Sequence, residues 1–296
     1  MKKFIVAIIC FFVIATIVDY GFGFIGDYLI HHAKSGDYED INTACNIQTA
    51  DVIILGSSRA KHHYIPDVIE DSLEMSCFNG GMDAVGIIYE YGRYLLMTER
   101  YTPKIVVYEV NPSSDISIEK DHAASLGELR PYANISEIKE YISSFDKKEN
   151  IKLLSNFYRY NSKILKLAKG QSDGEHIHKG YIPMNNVMNY NPTSLNEFST
   201  VDSIKLNLFE KLFLDTKKKN IKLYLAASPK YGMKSDSIMT PIKLFCIKHK
   251  IPFINHYSDT NFIHSKELFA DQLHLNNTGA RFYSSIIAKE LRKNEH

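Results

Sequence analysis

Five short apolar runs that read as buried strands organise the sequence after residue 50. They are predicted at Asp51–Leu55, Met75–Asn79, Lys104–Val110, Ile221–Ala227 and Ile251–Asn255. Segments with helical periodicity separate them, among them Val85–Tyr101 and Val201–Lys219. Continuous apolar strands that alternate with helices are typical of a parallel sheet covered on both faces. The pattern therefore predicts an α/β fold with a central parallel sheet.

The middle of the chain, residues 113 to 200, lacks a comparable apolar run. Ser136–Ser144 and Asn150–Lys169 have helical spacing, whereas Gly170–Thr200 is rich in Gly, Asn, Pro and His and reads as a loop. Long loops inside compact domains are often functional. We predict one domain over residues 50–296, with an insertion at about 113–200 that covers the site or shapes substrate access.

The N-terminus resembles a membrane anchor. Lys2 and Lys3 precede an apolar run, Phe4–Val18, and an aromatic-rich stretch continues past Asp19 to Ile25. The combined length suits a helix of about 20 residues across a bilayer. No convincing small-residue cleavage site follows, which favours an uncleaved signal anchor over a signal peptide. We predict a transmembrane helix at residues 1–25 and a juxtamembrane linker at 26–49.

Charge and composition place the protein and exclude some partners. The positive-inside rule keeps the two lysines cytoplasmic, so the remaining chain is expected outside the inner membrane. The net charge is +1 and no Lys/Arg block suits a phosphate backbone, so we predict no nucleic-acid partner. The four cysteines form no Cys/His metal spacing. We predict neither a metal nor an organic cofactor.

A serine follows the first predicted strand, in the sequence Gly56-Ser57-Ser58-Arg59. Ligands of open α/β sheets bind at the carboxyl ends of strands. A helix that starts there offers unpaired N–H groups to developing negative charge. Gly56 permits a sharp exit from the strand. These features predict that Ser58 is a nucleophile, although small residues after a strand usually form only a tight turn.

A serine hydroxyl needs a base, and Asp271-Gln-Leu-His274 supplies the best candidate. His274 would accept the serine proton, and Asp271 would fix the imidazole tautomer and stabilise the imidazolium. The spacing leaves open whether Asp271 contacts His274 directly or only through its loop. Taken alone, Asp-x-x-His is usually a helix cap or a surface pair, so the prediction depends on the combination with Ser58.

Three groups are predicted to stabilise an oxyanion. They are the N–H of Ser58, the N–H of Gly81 in the turn Asn79-Gly80-Gly81, and the amide of Asn111 after the third strand. Two further residues are predicted to contact substrate. Arg59 would steer an anionic group, with a surface or salt-bridge role as its alternative, and Tyr231 would line the cleft after the fourth strand.

These motifs resemble those of the SGNH (GDSL-like) hydrolases. Gly56-Ser57-Ser58 stands where that family has Gly-Asp-Ser, and Asp271-Gln-Leu-His274 matches its Asp-x-x-His block. The resemblance implies a three-layer α/β/α fold, with Ser58, His274 and Asp271 as a catalytic triad. Asn79-Gly80-Gly81 corresponds to the block that provides an oxyanion glycine. The stretch from Glu109 to Asp115 departs from the family's Gly-x-Asn-Asp, with Asn111 as the nearest asparagine.

The Gly-Ser-Ser-Arg form, the anchor and the long middle region are similar to a membrane-anchored bacterial subgroup. It contains the D-alanyl transfer protein and proteins of the polysaccharide O-acetyltransferase type. This resemblance implies an esterase or O-acyltransferase that acts on acyl esters of cell-surface glycans, with a membrane acyl carrier as a possible partner. A non-catalytic binding or assembly protein with the same fold, and a soluble lipase or thioesterase, are the alternatives.

Overall fold

The computed structural model describes residues 1–161, 163–170, 178–191 and 200–295. The chain divides into two compact units. The anchor unit contains Met1–Thr43 and Asp121–His176, and the sheet unit contains Ala44–Lys120 and Ile177–His296. Each unit combines two separate stretches of the chain, so the division does not follow the sequence order.

The α-helices of the described residues, in chain order, are α1 (Lys2–His31), α2 (Gly36–Asn42), α3 (Ser58–His63), α4 (Pro66–Leu73), α5 (Ile87–Arg100), α6 (Pro112–Asp115), α7 (Ser136–Phe145), α8 (Glu149–Lys152), α9 (Asn156–Tyr160), α10 (Ile164–Lys169), α11 (Ser203–Lys218), α12 (Thr240–His249) and α13 (Asn277–Glu295). A π-helical turn spans Thr43–Ile47, and 3-10 helices span Ala124–Tyr132, Ser237–Met239 and Lys266–Leu268. The strands are β1 (Val52–Gly56), β2 (Cys77–Asn79), β3 (Ile105–Glu109), β4 (Lys222–Ala227) and β5 (Phe253–Asn255).

The sheet unit contains one five-stranded sheet in the order β2-β1-β3-β4-β5, and every neighbouring pair is parallel. All residues of β1 and β3 are buried, as continuous apolar runs predict. The five strands lie within a few residues of their predicted positions. The predicted α/β class with a central parallel sheet is confirmed.

Helices cover the sheet on both faces. Alternate strand residues such as Val52, Ile54 and Val107 form one apolar cluster with residues of α3, α4 and α13. On the opposite face, Tyr108 of β3 packs edge-on against Phe209 of α11, at a centroid distance of 5.2 Å. Helix α5 packs against α11 there. The sheet unit therefore has three layers, because the side chains of each strand alternate between its two faces.

The strand order shows that the chain reverses its winding between β1 and β3. From β1, the chain passes through α3 and α4 to β2 on one side, and it then returns through α5 to β3 on the other side of β1. Loops at the carboxyl ends of β1 and β3 diverge at such a point, which is where open α/β sheets bind ligands. The register sets Gly56 opposite Glu109 at that end.

The anchor unit begins with α1, which extends to His31 rather than ending at residue 25. It is long and apolar enough to cross a membrane, and the most apolar part of it is unburied. Residues 26–49, predicted as a linker, contain the end of α1, all of α2 and the π-helical turn. Most of the predicted linker is therefore helical.

The middle of the chain is shared between the units. Residues 121–176 belong to the anchor unit and residues 177–200 to the sheet unit. Predicted helix Ser136–Ser144 is present as α7. The helical spacing at Asn150–Lys169 is present as three short helices, α8, α9 and α10, and not as one continuous helix. Parts of the predicted loop at Gly170–Thr200, residues 171–177 and 192–199, lie outside the described residues.

Candidate active site

The turn after β1 places Ser58 at the sheet's carboxyl edge. Gly56 has φ +136°, and a Cβ on it would lie 2.6 Å from the carbonyl oxygen of Glu109. Only glycine tolerates both the backbone conformation and the close approach of β3. Ser57 is the N-cap residue of α3 and Ser58 its first residue. The strand thus ends abruptly and Ser58 begins the helix, as the sequence predicts.

Ser58, His274 and Asp271 form a continuous hydrogen-bonded chain. Ser58 Oγ lies 2.8 Å from His274 Nε2. His274 Nδ1 lies 2.9 Å and 3.0 Å from the two carboxylate oxygens of Asp271. Asp271 also accepts hydrogen bonds from the backbone N–H groups of Leu273 and His274, at 2.7 Å and 2.9 Å. Asp271 therefore fixes His274 both directly and through its loop, which answers the question that the spacing left open.

The hydrogen bonds assign the protonation of this chain. Asp271 accepts at both oxygens, so His274 carries its proton on Nδ1 and presents Nε2 as an acceptor to the Ser58 hydroxyl. Burial raises the pKa of Asp271, but the hydrogen bond from His274 and those from the backbone outweigh it and lower the pKa overall. An ionised Asp271 beside His274 stabilises an imidazolium, as a general base at this position requires.

Asn111 lies beside the nucleophile turn. Its Nδ2 donates to Ser57 Oγ at 3.1 Å, which uses one of the two amide N–H groups. Asp115 accepts from the backbone N–H of Asn111 at 2.7 Å and from that of Ile87 at 2.7 Å. Burial raises the pKa of Asp115 to about 7, against these hydrogen bonds. Asp115 therefore fixes the turn that carries Asn111. The amide of Asn111 in turn contacts Ser57, the residue before Ser58.

Gly81 does not fit the predicted oxyanion role. Its N–H donates to the side chain of Asn79 at 2.9 Å, so this donor is already engaged. A Cβ on Gly81 would lie 2.3 Å from the backbone nitrogen of Lys61. The missing side chain thus permits close packing of this turn against α3. Asn79 also donates to the carbonyl of Ala60 at 2.7 Å. We correct the prediction for Gly81 to a packing role.

Arg59 is buried, and its predicted contact with substrate is wrong. The side chain is 2% exposed. Its Nε lies 3.3 Å from a carboxylate oxygen of Glu109, and the guanidinium donates to the hydroxyl and the carbonyl oxygen of Ser228. One residue along a helix corresponds to a rotation of about 100°. Arg59 therefore points into the interior beneath the turn, where the salt-bridge alternative applies.

Tyr231 is half-buried, and its ring packs edge-on against Phe269 at a centroid distance of 5.5 Å. It contacts the apolar cluster on the α3, α4 and α13 face of the sheet. This packing fixes the ring beside the loop that precedes Asp271. A contact between Tyr231 and substrate stays a prediction.

A buried hydrogen-bond network lies behind Ser58, His274 and Asp271, and the sequence motifs do not predict it. His63 Nε2 accepts the N–H of Leu275, the residue after His274, at 3.0 Å. His63 Nδ1 lies 2.7 Å from Ser228 Oγ, and Ser228 Oγ lies 2.6 Å from Glu109 Oε1. The Leu275 donor requires an unprotonated Nε2, so a neutral His63 donates from Nδ1. The network connects α3, β3 and the loop after β4 to the backbone that carries His274.

One signal for this network was present in the sequence. Glu109 is a lone acid in the otherwise apolar strand Ile105–Glu109. Acidic residues are almost never fully buried without a partner, so a charge in a central strand predicts a buried ion pair. The identity of its partners, Arg59 and Ser228, depends on contacts between separate strand ends.

Neutral His63 makes the stability of the protein sensitive to acid. Burial, followed by the positive charge of Arg59, lowers the pKa of His63 well below 6.5. The unfolded chain therefore binds this proton at higher pH than the folded protein does. As the pH falls below about 6.5, this group should lower the free energy of unfolding by up to about 1.4 kcal/mol per pH unit.

Urea unfolding of wild type and His63→Gln at about pH 7.5 and about pH 5.5 tests this effect. Glutamine keeps one donor and one acceptor but does not titrate. The difference in stability between the two pH values should be smaller for the variant than for wild type. Equal differences in both proteins would show that His63 does not titrate on unfolding.

The rim next to His274 is polar. His62 lies with its ring centroid 5.6 Å from that of His274, and its Nε2 is 3.2 Å from Asp83. Lys61 Nζ is 3.6 Å from the same carboxylate. Within residues 1–161, 163–170, 178–191 and 200–295, no group of three or more His, Cys, Asp or Glu is arranged to hold a metal ion.

Comparisons with known proteins give only remote similarities. No family model matches the sequence, and no curated protein matches it. Three solved structures from bacteria are similar in fold. A protein described as an acylhydrolase from Bacteroides fragilis is 12% identical, with a TM-score of 0.42, over 83% of this chain and 88% of that one.

The second is described as a lipolytic protein of the G-D-S-L family from Desulfitobacterium hafniense. It is 9% identical, with a TM-score of 0.39, over 81% of this chain and 98% of that one. The third, described as a GDSL-like lipase from Bacteroides thetaiotaomicron, is 10% identical with a TM-score of 0.40. That match covers 93% of this chain and 100% of the other.

Proposed function

We propose that this protein is a membrane-anchored serine esterase or O-acyltransferase of the SGNH type. The observation that carries the proposal is the chain of hydrogen bonds from Ser58 through His274 to Asp271, at 2.8 Å and 2.9 Å. This arrangement has the parts that activate a serine: a nucleophile, a base and a carboxylate that orients the base. It lies at the carboxyl edge of a parallel sheet, where such sheets bind ligands.

The proposed reaction has two halves. Ser58 Oγ attacks the acyl carbonyl carbon while His274 Nε2 takes the hydroxyl proton, and Asp271 stabilises the imidazolium. The tetrahedral intermediate collapses, the ester C–O bond breaks, and the leaving alcohol receives the proton from His274. An acyl group then remains on Ser58. His274 next deprotonates water or a sugar hydroxyl, which attacks the acyl-enzyme and frees Ser58.

The negative charge on the tetrahedral oxygen requires donors that are already in place. The N–H of Ser58 is one, because the first N–H groups of a helix have no acceptor within it. The amide of Asn111, which Asp115 fixes, is the second. Gly81 is not included, since Asn79 already accepts its N–H. Two donors are therefore proposed where the sequence suggested three.

We assign the substrate class by its chemistry and by the resemblance of the motifs. The polar rim of His62 and Asp83 suits a hydroxyl-rich acceptor better than a lipid tail. The length and apolar character of α1 support anchoring, with Lys2 and Lys3 on the cytoplasmic side. In the esterase reaction the proposed substrates are small acyl esters of cell-surface glycans, cleaved with water as acceptor. In the transferase reaction a membrane acyl carrier donates the acyl group and a glycan hydroxyl accepts it.

A fluorophosphonate probe followed by intact-mass analysis tests the activated serine. Wild-type full chain should gain one adduct, because the reagent traps a nucleophilic serine. Ser58→Ala should gain none, and His274→Ala should react much more slowly. Ser57→Ala is the neighbouring-serine control: this serine has no base, so the adduct should still form on Ser58, but more slowly because Asn111 loses its contact with Ser57 Oγ.

The absence of an adduct on folded wild-type protein would contradict the catalytic proposal. An adduct that persists in Ser58→Ala would reject Ser58 as the nucleophile. The first of these results would favour the non-catalytic binding or assembly alternative.

A further inference from the structure

Apolar side chains are exposed in the anchor unit around the start of α9. Ile151 is 75% exposed and Leu154 70% exposed, and Phe157 is exposed as well. We call these three residues the apolar knuckle. Two basic residues, Lys147 and Lys148, are exposed just before it. Apolar residues clustered within one short segment mark a contact surface when they are not buried in the protein.

Helix α9 packs closely along the second half of α1. The rings of Phe22 and Phe157 stack at a centroid distance of 4.3 Å. A Cβ on Gly23 would lie 2.5 Å from Asn156 Cγ. A Cβ on Gly26 would lie 2.5 Å from Cδ1 of the Tyr160 ring. Small residues on α1 thus let α9 approach its backbone, which fixes the apolar knuckle beside the membrane helix.

Asp19 explains how a carboxylate fits into this apolar helix. It accepts hydrogen bonds from Ser155 Oγ at 2.8 Å, the N–H groups of Asn156 and Phe157 at 2.9 Å each, and Asn156 Nδ2 at 3.1 Å. These donors all come from the start of α9. A carboxylate near hydrocarbon is costly unless it is paired, and four donors provide that pairing. The contact therefore suits the end of a membrane span.

The length of α1 sets the depth of this contact. At about 1.5 Å per residue, Phe4–Val18 covers roughly 22 Å, which is less than the hydrocarbon core of about 30 Å. A helix that spans the core from Phe4 therefore needs about 20 residues and leaves the core near Gly23, so Asp19 to Phe24 occupy roughly its outermost 8 Å, next to the headgroups. Tyr20 and Phe24 are exposed there, as interfacial aromatic residues are. Asp19, Phe22 and Gly23 contact the start of α9 at this level, whereas Gly26 contacts Tyr160 at its end, so the knuckle lies near the outer boundary as well.

We propose that the apolar knuckle, Ile151, Leu154 and Phe157, inserts into the outer headgroup and acyl-chain boundary of the bilayer. This inference rests on the proposed membrane anchoring. The occupant is lipid, because Phe157 of the knuckle stacks on Phe22 of the apolar helix α1 and the exposed lysines Lys147 and Lys148 suit anionic headgroups. The hydrogen bonds to Asp19 attach the start of α9 to α1. Both α1 and the knuckle therefore contact the bilayer.

The chain contains no tryptophan, so a single introduced tryptophan reports on one site. Leu154→Trp in the full chain is placed in vesicles that contain lipid brominated near the headgroup end of the acyl chain. Fluorescence of this variant should be strongly quenched by the brominated lipid. Phe12→Trp, in the centre of the span, is the positive control, measured in vesicles whose lipid is brominated near the end of the acyl chain. Vesicles of the same composition without brominated lipid are the matched control, in which Leu154→Trp should stay unquenched.

The outcomes separate this inference from the anchor. Quenching of Phe12→Trp without quenching of Leu154→Trp would leave the anchor in place and overturn the knuckle proposal. No quenching at either site would overturn both. A blue-shifted but unquenched Leu154→Trp would identify a protein partner or a second copy in place of lipid, and would also overturn it.

The role of Asp19 has its own readout. Asp19→Ala should lower the quenching of Leu154→Trp, because α9 loses its attachment to α1. The same substitution should leave the quenching of Phe12→Trp unchanged, since the span itself is intact. Unchanged quenching at Leu154→Trp would reject Asp19 as the attachment of α9 to α1.

Discussion

Replacing His274 with alanine should lower the rate of ester hydrolysis by about 10⁴-fold or more. Without Nε2 beside Ser58 Oγ, the hydroxyl proton has no acceptor and the serine is a weak nucleophile. Asp271→Asn should also be severe but less so than His274→Ala, because the imidazole stays present while its tautomer and charge are disturbed. Hydrolysis of p-nitrophenyl acetate by the full chain measures both effects.

The matched control is a second His–Asp pair, to which no serine of the described residues is hydrogen-bonded. His178 Nε2 lies 3.0 Å from Asp67 on the exposed surface of the sheet unit. His178→Ala removes the same side chain and should leave the rate unchanged. A wild-type rate in His274→Ala would contradict the triad, and an equal loss in His178→Ala would show that the assay reports folding.

Replacing Glu109 with glutamine should lower the free energy of unfolding by about 3–5 kcal/mol. Glu109 is fully buried, and its carboxylate forms an ion pair with Arg59. It also accepts hydrogen bonds from the hydroxyl of Tyr64 and from the N–H and the hydroxyl of Ser228. The substitution leaves the Arg59 guanidinium buried without its counter-charge. It also turns an amide donor toward groups that are themselves donors. Urea unfolding measures the loss.

Two comparisons sharpen this test. Lys104→Ala breaks the exposed pair of Lys104 and Asp51, whose atoms are 3.0 Å apart, and should cost about 0.5 kcal/mol or less. The double variant Arg59→Met with Glu109→Leu removes both charges and should be less destabilised than the sum of the single changes. A loss in Glu109→Gln no larger than in Lys104→Ala would show that the pair does not support the site.

Features that depend on local sequence were predicted well. The five strands and the helices between them follow from apolar runs and helical spacing, because burial on a sheet imposes that pattern. Asp271 and His274 are three residues apart, so their contact needs only one turn of chain. Gly56 could be recognised because a positive φ and close packing select glycine.

The errors concern features that depend on tertiary contacts or on caps. The helical spacing at Asn150–Lys169 does not show where one helix ends and the next begins. The hydroxyl of Ser155 accepts the N–H of Tyr158 and starts a new helix there. Arg59 was assigned to substrate because the sequence does not show which way the first turn of α3 faces. The N–H of Gly81 was assigned to an oxyanion because the position of the Asn79 side chain depends on how β2 packs against α3.

The sequence by itself determined the α/β class, an apolar N-terminal helix long enough to cross a membrane, and the residue types of the candidate site. The tertiary structure decided which of those residues meet. Ser58 and His274 are 216 positions apart and come together only at the carboxyl edge of the sheet. The structure likewise decided that α9 packs against α1 and that Glu109 pairs with Arg59 and Ser228. The physical reason is that local propensity and periodicity act over a few turns, whereas burial and hydrogen bonding between distant segments depend on the packed fold.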